Sequence, residues 1–238
     1  MSLNNLDRNS DPADWNAKWT GIFDHYQRDL RHAYYIRAVL EPNEKRVLEI
    51  AAGSFRDMAA LRRMGIHCSG MDFSSESVAR AKATFPQYAA QIHEMSAFEM
   101  EFKDEGYDVT YHNGFWILFD DEKIRALAQE QARITKGHMI ATVHNAHNQR
   151  FVDYFDKMKQ NDPLYDIRFF VIDEIASLMR EVCDNVRVIP VGKYKRRHED
   201  MLIKLGLTHP ALIRSYLKFS DLHLLDRSER LLCIGTPR

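Results

Sequence analysis

Two acids and a glycine carry the clearest chemistry in this chain. In Arg46-Val47-Leu48-Glu49-Ile50-Ala51-Ala52-Gly53-Ser54-Phe55-Arg56-Asp57 a short apolar run reaches an acid and turns through a loop around Gly53. The stretch Ile66-His67-Cys68-Ser69-Gly70-Met71-Asp72 then ends in a second acid. A loop with no bulky Cβ at its tightest point lets a ligand reach backbone N–H groups, and a carboxylate at the next strand's tip accepts both hydrogen bonds of a ribose diol. Glu49 is unusual in its own right, because an apolar residue normally continues a buried strand. Strand, loop, helix and strand in this order read as a nucleoside-binding βαβ unit.

Other polar groups collect at the ends of later apolar runs. His112, His144 and His147 fall at or just beyond expected strand ends, the side on which open α/β sheets bind ligands. An imidazole, titrating near ~6.5, can accept a proton from a hydroxyl or an amine, which makes His112 and His144 the candidate catalytic groups. The alternative for each is a rim residue bonded to backbone. Asn113 and Asn145 hold similar positions, where an amide can orient a substrate through donor and acceptor together. The run Lys193-Tyr194-Lys195-Arg196-Arg197-His198 is either solvated surface or a contact for a carboxylate or phosphate. No metal site is expected: His144-x-x-His147 has no completing carboxylate, and Cys68, Cys183 and Cys233 form no C-x-x-C pair.

The elements that would position these groups alternate along the chain. Residues 13–40 carry Trp15, Trp19, Phe23, Tyr26, Leu30, Tyr34 and Val39 at helical spacing and end at Pro42. Strands follow at 46–51, 66–72, 89–94, 107–112 and 138–144, with helices at 55–64, 75–84 and 121–135 between them. An amphipathic stretch near Phe151, Tyr154, Phe155 and Met158 precedes a helix near 172–183 and strands at 186–191 and 230–235. Such alternation predicts an α/β fold, a mostly parallel seven-stranded Rossmann-like sheet with helices on both faces. Residues 193–229 far exceed a hairpin loop of about 2–5 residues, so they read as an inserted helical cap before the last strand. The expectation is a single domain over 1–238, with an N-terminal helical cap at 1–41.

Composition narrows the partners. At 238 residues and 45% apolar content the chain can fill one large α/β core. The 33 basic and 34 acidic residues leave a net charge of −1, which argues against nucleic acid or an anionic membrane as the main partner. Three scattered cysteines suggest a reducing compartment, and no apolar run nears the ~20 residues of a membrane span. A soluble, cytoplasmic chain is expected, and its oligomeric state is not legible.

From about Leu40 to Val191 the chain resembles the class I S-adenosylmethionine-dependent methyltransferases. Glu49, Ala51, Gly53 and Phe55 match the acid and the three glycine positions of the family's first motif, so one glycine of three is kept. Gly70-Met71-Asp72-Phe73-Ser74 is similar to the second motif, Met95-Ser96-Ala97-Phe98 to the adenine-reading loop, and Tyr107-Asp108-Val109-Thr110-Tyr111-His112-Asn113 to the fourth strand. The resemblance implies S-adenosylmethionine as cofactor. It implies a cofactor site of Glu49, Ala51, Gly53, Ser54, Asp72, Phe73, Ser96, Ala97 and Asn113, with Asp72 on the ribose, Phe73 against the adenine and the fourth strand's tip beside the methionine part. Phe55 is expected to turn away from the ligand into the helix–sheet interface or the cap, leaving Gly53 as the point of close backbone approach.

The reaction these parts imply is methyl transfer to an O or N atom of a small molecule, with Trp19, Tyr26 and the 193–229 insert closing over the site. Two other readings stay open. The degenerate glycine loop fits a methyltransferase fold that binds without catalysis. An acid 19 residues after Gly53 also fits a nicotinamide-dependent oxidoreductase, although that fingerprint needs glycines where Ala51 and Arg56 stand.

Overall fold

Both faces of the expected strands are apolar, and the structure buries both. The computed structural model describes residues 12–27, 31–162, 165–193, 197–220 and 224–238. Its strands are β1 (Arg46–Ile50), β2 (His67–Asp72), β3 (Ile92–Glu94), β4 (Tyr107–Asn113), β5 (Thr135–Asn145), β6 (Phe169–Phe170), β7 (Cys183–Lys193) and β8 (Ser228–Pro237). The helices are α1 (Pro12–Tyr26), α2 (Arg31–Val39), α3 (Arg56–Arg63), α4 (Ser75–Thr84), α5 (Asp121–Ile134), α6 (Gln149–Met158), α7 (Ile172–Arg180), α8 (Arg197–Lys204) and α9 (Pro210–Ser220).

The sheet runs β3-β2-β1-β4-β5-β8-β7, with the two-residue β6 beside the end of β5. Strands β1 to β5 pair in parallel, while β8 is antiparallel to both β5 and β7. Chain order reverses between β1 and β4, which opens a crevice at their carboxyl ends. Val47, Val109 and Tyr111 face a layer with α2, α3, α4 and α9, and Leu48, Ile50 and Met139 face one with α5 and α7.

Local chemistry explains the boundaries. Ser74 caps α4 by accepting from Ser77 N at 3.1 Å, and Asp120 caps α5 by accepting from Lys123 N at 2.9 Å. Pro86 diverts the start of the expected 89–94 strand into a 3₁₀ turn, so only Ile92–Glu94 pairs. Helix α5 passes straight into β5, which begins three residues earlier than its apolar run suggests; a Cβ on Gly137 would lie 2.6 Å from Asp108 O, so glycine is what lets β4 and β5 approach there.

The 193–229 insert is only in part a cover for the strand tips. Helix α8 reaches the tip side, where Asp200 pairs with Arg31 at 3.1 Å. Helix α9 instead packs along α2, burying Ile213 and Leu217 in the core beside Ala33 and Ile36, and Arg214 donates to the carbonyls of Ala38 and Leu40 at 2.7 and 2.9 Å. Of the basic run, Tyr194, Lys195 and Arg196 lie outside the described residues; Arg197 and His198 open α8.

Candidate functional site

The loop joining β1 to α3 keeps a glycine-loop shape with one glycine. Ala51, Gly53 and Phe55 have φ of 51°, 55° and 54°, so alternate residues are left-handed. Two of them carry a Cβ, each at a cost of about 1–2 kcal/mol. Phe55 offsets its share through burial: its ring is 0% exposed, in the core with Met58 and against Gly70, where a Cβ would lie 2.8 Å from the ring. The ring therefore turns into the helix–sheet interface, as expected from the sequence.

The two acids of this turn are engaged by backbone N–H groups. Glu49 accepts from Met58 N at 2.8 Å and so caps the first turn of α3. Burial, with Asp57 adding to it, raises the Glu49 carboxyl well above the usual range. Asp72 accepts from Gly53 N at 2.8 Å and Ser74 N at 2.9 Å. Burial raises its pKa to about 6 despite those N–H groups. Ser77 donates to Gly53 O, and Gln27 donates to Ser54 O at 2.9 Å. Phe73 is half-buried at the strand tip, Ala97 is buried, and Ser96 is exposed and accepts from Phe98 N at 3.2 Å.

Helix α1 lies over this loop. The indole of Trp19 is 2.3 Å from where a Cβ on Gly53 would stand, so the glycine is a point of close approach by a planar ring. Asn16 accepts from Ser74 Oγ at 2.6 Å, and Arg80 donates to Thr20 O at 2.6 Å and pairs with Asp24 at 3.0 Å. Arg56 donates to Tyr26 O at 2.6 Å.

Beside the loop is a polar network that sequence reasoning missed. His32 Nδ1 and Asp57 Oδ2 are 3.0 Å apart, and His32 Nε2 and Thr142 Oγ1 are 2.8 Å apart. Asn113 Nδ2 donates to the same Asp57 oxygen at 3.3 Å, while Asn113 Oδ1 accepts from Arg230 at 3.1 Å. His32, Arg56, Asn113, Gly192 and Arg230 line a cleft of about 30 Å³ at the carboxyl end of the sheet. That volume holds one or two waters. Nothing in the spacing of His32 and Asp57 signals their meeting, because the contact joins two helices packed on one face.

The histidines first singled out have other surroundings. His112 is fully buried against Trp116, with ring centroids 4.9 Å apart, and both ring nitrogens are without a hydrogen-bond partner among the described residues. Burial lowers its pKa to about 3, so it is neutral and weakly basic at pH 7. His144 stacks on Phe151 at 5.5 Å and is flanked by Phe155 and Phe169. His147 accepts from Ile172 N at 3.1 Å. Asn145 donates to the carbonyls of Leu225 and Ser228, tying down the entry to β8.

Comparison with known proteins agrees with this geometry. A methyltransferase-domain family model matches residues 47–138. No curated protein matches the chain in sequence. Among solved structures, an S-adenosylmethionine-dependent methyltransferase of Thermotoga maritima, described as a possible histamine N-methyltransferase, aligns with TM-score 0.63 and 18% identity over 93% of this chain and 97% of its own. Another from Archaeoglobus fulgidus gives 0.63 and 13% over 91% and 99%. Geranyl diphosphate C-methyltransferase of Streptomyces coelicolor, solved with S-adenosylhomocysteine, gives 0.53 and 13% over 87% and 78%. Likeness at these identities concerns the fold.

Proposed function

We infer that this chain is a class I S-adenosylmethionine-dependent methyltransferase and that it transfers a methyl group from S-adenosylmethionine to an O or N atom of a small molecule. The observation that carries this reading is the loop itself. Three left-handed residues at 51, 53 and 55, with Asp72 bonded to Gly53 N, keep the turn that two lost glycines would otherwise put in doubt. The slot against Gly53 already admits the edge of an indole, so it has room for the methionine part of the cofactor once Trp19 leaves it.

In this reading Asp72 holds the ribose, Phe73, Ser96 and Ala97 border the adenine, and the backbone of Ala51, Gly53 and Ser54 with Asn113 holds the methionine part. Glu49 serves the site by fixing the start of α3. When bound, the cofactor supplies a sulfonium from which sulfur departs readily. The protein then has to align the acceptor atom and exclude water. His112 and His144 remain the sequence-derived candidates for a proton acceptor. The cleft beside Asn113 is where a small-molecule acceptor would approach the strand tips; it has to widen to admit one, with α2 staying in place on α3 and β5. Acceptor atoms named for the similar structures differ, a nitrogen for the possible histamine N-methyltransferase and a carbon for the geranyl diphosphate enzyme, so the fold does not choose the atom. Net charge −1 supports a chain whose main partner is neither nucleic acid nor an anionic membrane, and the scattered cysteines support a reducing compartment such as the cytoplasm; no described helix is long and apolar enough to cross a membrane.

The binding-only reading is favoured by one contact, Trp19 on Gly53. The oxidoreductase reading is not favoured, since antiparallel β8 between β5 and β7 departs from the all-parallel dinucleotide sheet. Calorimetric titration with S-adenosylhomocysteine and, separately, NADH tests all three. Saturable binding of the first alone is expected. Binding of neither supports loss of the cofactor, and binding of NADH alone overturns the methyltransferase reading.

A further inference from the structure

We propose that His32 takes the proton from the methyl acceptor, that Asp57 holds it in the tautomer this needs, and that the accepting group is therefore a hydroxyl. The proposal rests on the methyltransferase reading above and deepens it.

The geometry carries the assignment. Asp57 is 1% exposed and His32 6%, yet they meet at 3.0 Å through Nδ1 and Oδ2. A buried carboxylate accepts but cannot donate, so the proton between them sits on Nδ1. In the neutral ring that leaves the lone pair on Nε2, 2.8 Å from the Thr142 hydroxyl and placed to accept from it. A hydroxyl is thus already presented to the basic nitrogen. Asn113, at the tip of β4, bonds the same Asp57 oxygen, which ties the pair to the strand end nearest the cofactor loop. His32 also lines the cleft that lies between Arg56 and Arg230. By contrast, His112 is held neutral with a pKa of about 3, and His144 is enclosed by three phenyl rings.

An acceptor hydroxyl entering the cleft replaces Thr142 at Nε2. As its proton passes to Nε2, the oxygen's electron pair forms the bond to the methyl carbon, the carbon–sulfur bond breaks, and its electrons stay on sulfur as the neutral thioether. A neutral amine has its lone pair ready and needs no such base; a hydroxyl does. Charged or titratable groups around the imidazole are Arg31 and Tyr35 of its own helix, Asp57 and Arg56 of α3, Tyr111 and His112 of β4, and Arg230 and Glu229 of β8.

Two readouts test the proposal. In ¹⁵N-histidine-labelled protein, with His32 assigned by its loss in His32→Asn, the neutral ring should carry its proton on Nδ1. A proton on Nε2 overturns the proposal whatever the kinetics show. With methyl-labelled S-adenosylmethionine and catechol, 4-hydroxybenzoate or histamine as probes, His32→Asn should bind S-adenosylhomocysteine within about twofold of wild type. It should methylate the phenols about 10²–10⁴-fold more slowly, a deficit that shrinks as pH rises toward the phenol's own ionisation. Asp57→Asn should shift the same pH profile. Wild-type rates on the phenols in His32→Asn, or methylation of histamine with neither phenol, would sink the proposal. Failure of the wild type to bind S-adenosylhomocysteine is a separate result, which strikes the methyltransferase reading.

Discussion

Trp19 and Gly53 are in such close register that the smallest side chain on the glycine would fall 2.3 Å from the indole. The contact explains why this one glycine is kept. Its φ of 55° and its closeness to a ring both exclude a Cβ.

If that slot takes the cofactor, α1 has to move as it binds. Trp19 is one of three tryptophans, with Trp15 and Trp116. Addition of S-adenosylhomocysteine should change the intrinsic fluorescence of wild type and Trp15→Phe, and the change should vanish in Trp19→Phe. Gly53→Ala should lower the melting temperature and weaken binding together.

The neighbouring loop residues should answer glycine substitution in opposite ways. Ala51→Gly removes a left-handed Cβ and should leave stability unchanged or raise it by up to about 1 kcal/mol. Phe55→Gly relieves similar strain but empties a fully buried site, so it should cost roughly 2–4 kcal/mol while leaving S-adenosylhomocysteine affinity nearly unchanged. Urea unfolding and calorimetry on both variants check this.

Asp72 should make binding and stability respond to pH with opposite sign. Its carboxylate would accept the ribose hydroxyls, so S-adenosylhomocysteine affinity should fall as pH drops through about 6. Asp72→Ala should cost at least about 1.5 kcal/mol of binding at pH 8. In stability the folded state holds the proton more tightly than the unfolded chain, with a pKa of about 6 against 3.8. Between those values the folded state carries the extra proton, so stability declines as pH rises across the window, by on the order of 3 kcal/mol. Asp72→Asn should flatten that decline, as read by denaturation at pH 4, 5, 6 and 7.

His138 should act through an ion pair at the other end of the sheet. Its Nδ1 is 2.5 Å from Glu44 Oε1, and that bond raises the imidazole pKa above its ordinary value. A raised imidazole stabilises the fold fully below about 6.5, and this is lost as pH rises through the folded value. His138→Asn should therefore be destabilising at pH 6 and close to neutral at pH 9. Equal effects at both pH values would show that packing, not charge, accounts for the residue.

Sequence alone determined the frame, because period and punctuation are local properties. The short segments that end at Glu49 and Asp72, the cap at Ser74 and the apolar face of α5 set strands and helices within a few residues of where they form. Glu49, Gly53 and Asp72 were legible for the same reason: strand, tight turn and strand tip lie within one βαβ unit. Tertiary structure decided what depends on which faces meet. The pairing of Phe169–Phe170 with β5 involves two residues with no period to read. Helix α9 is a packing layer on α2 because Ile213 and Leu217 find Ala33 and Ile36, a fit that neither helix shows by itself. The imidazoles were the hardest to place from sequence. Position at a strand end marked His112 and His144, whereas the pairing of His32 with Asp57 comes from α2 and α3 lying side by side over β4 and β5, which brings together groups 25 residues apart.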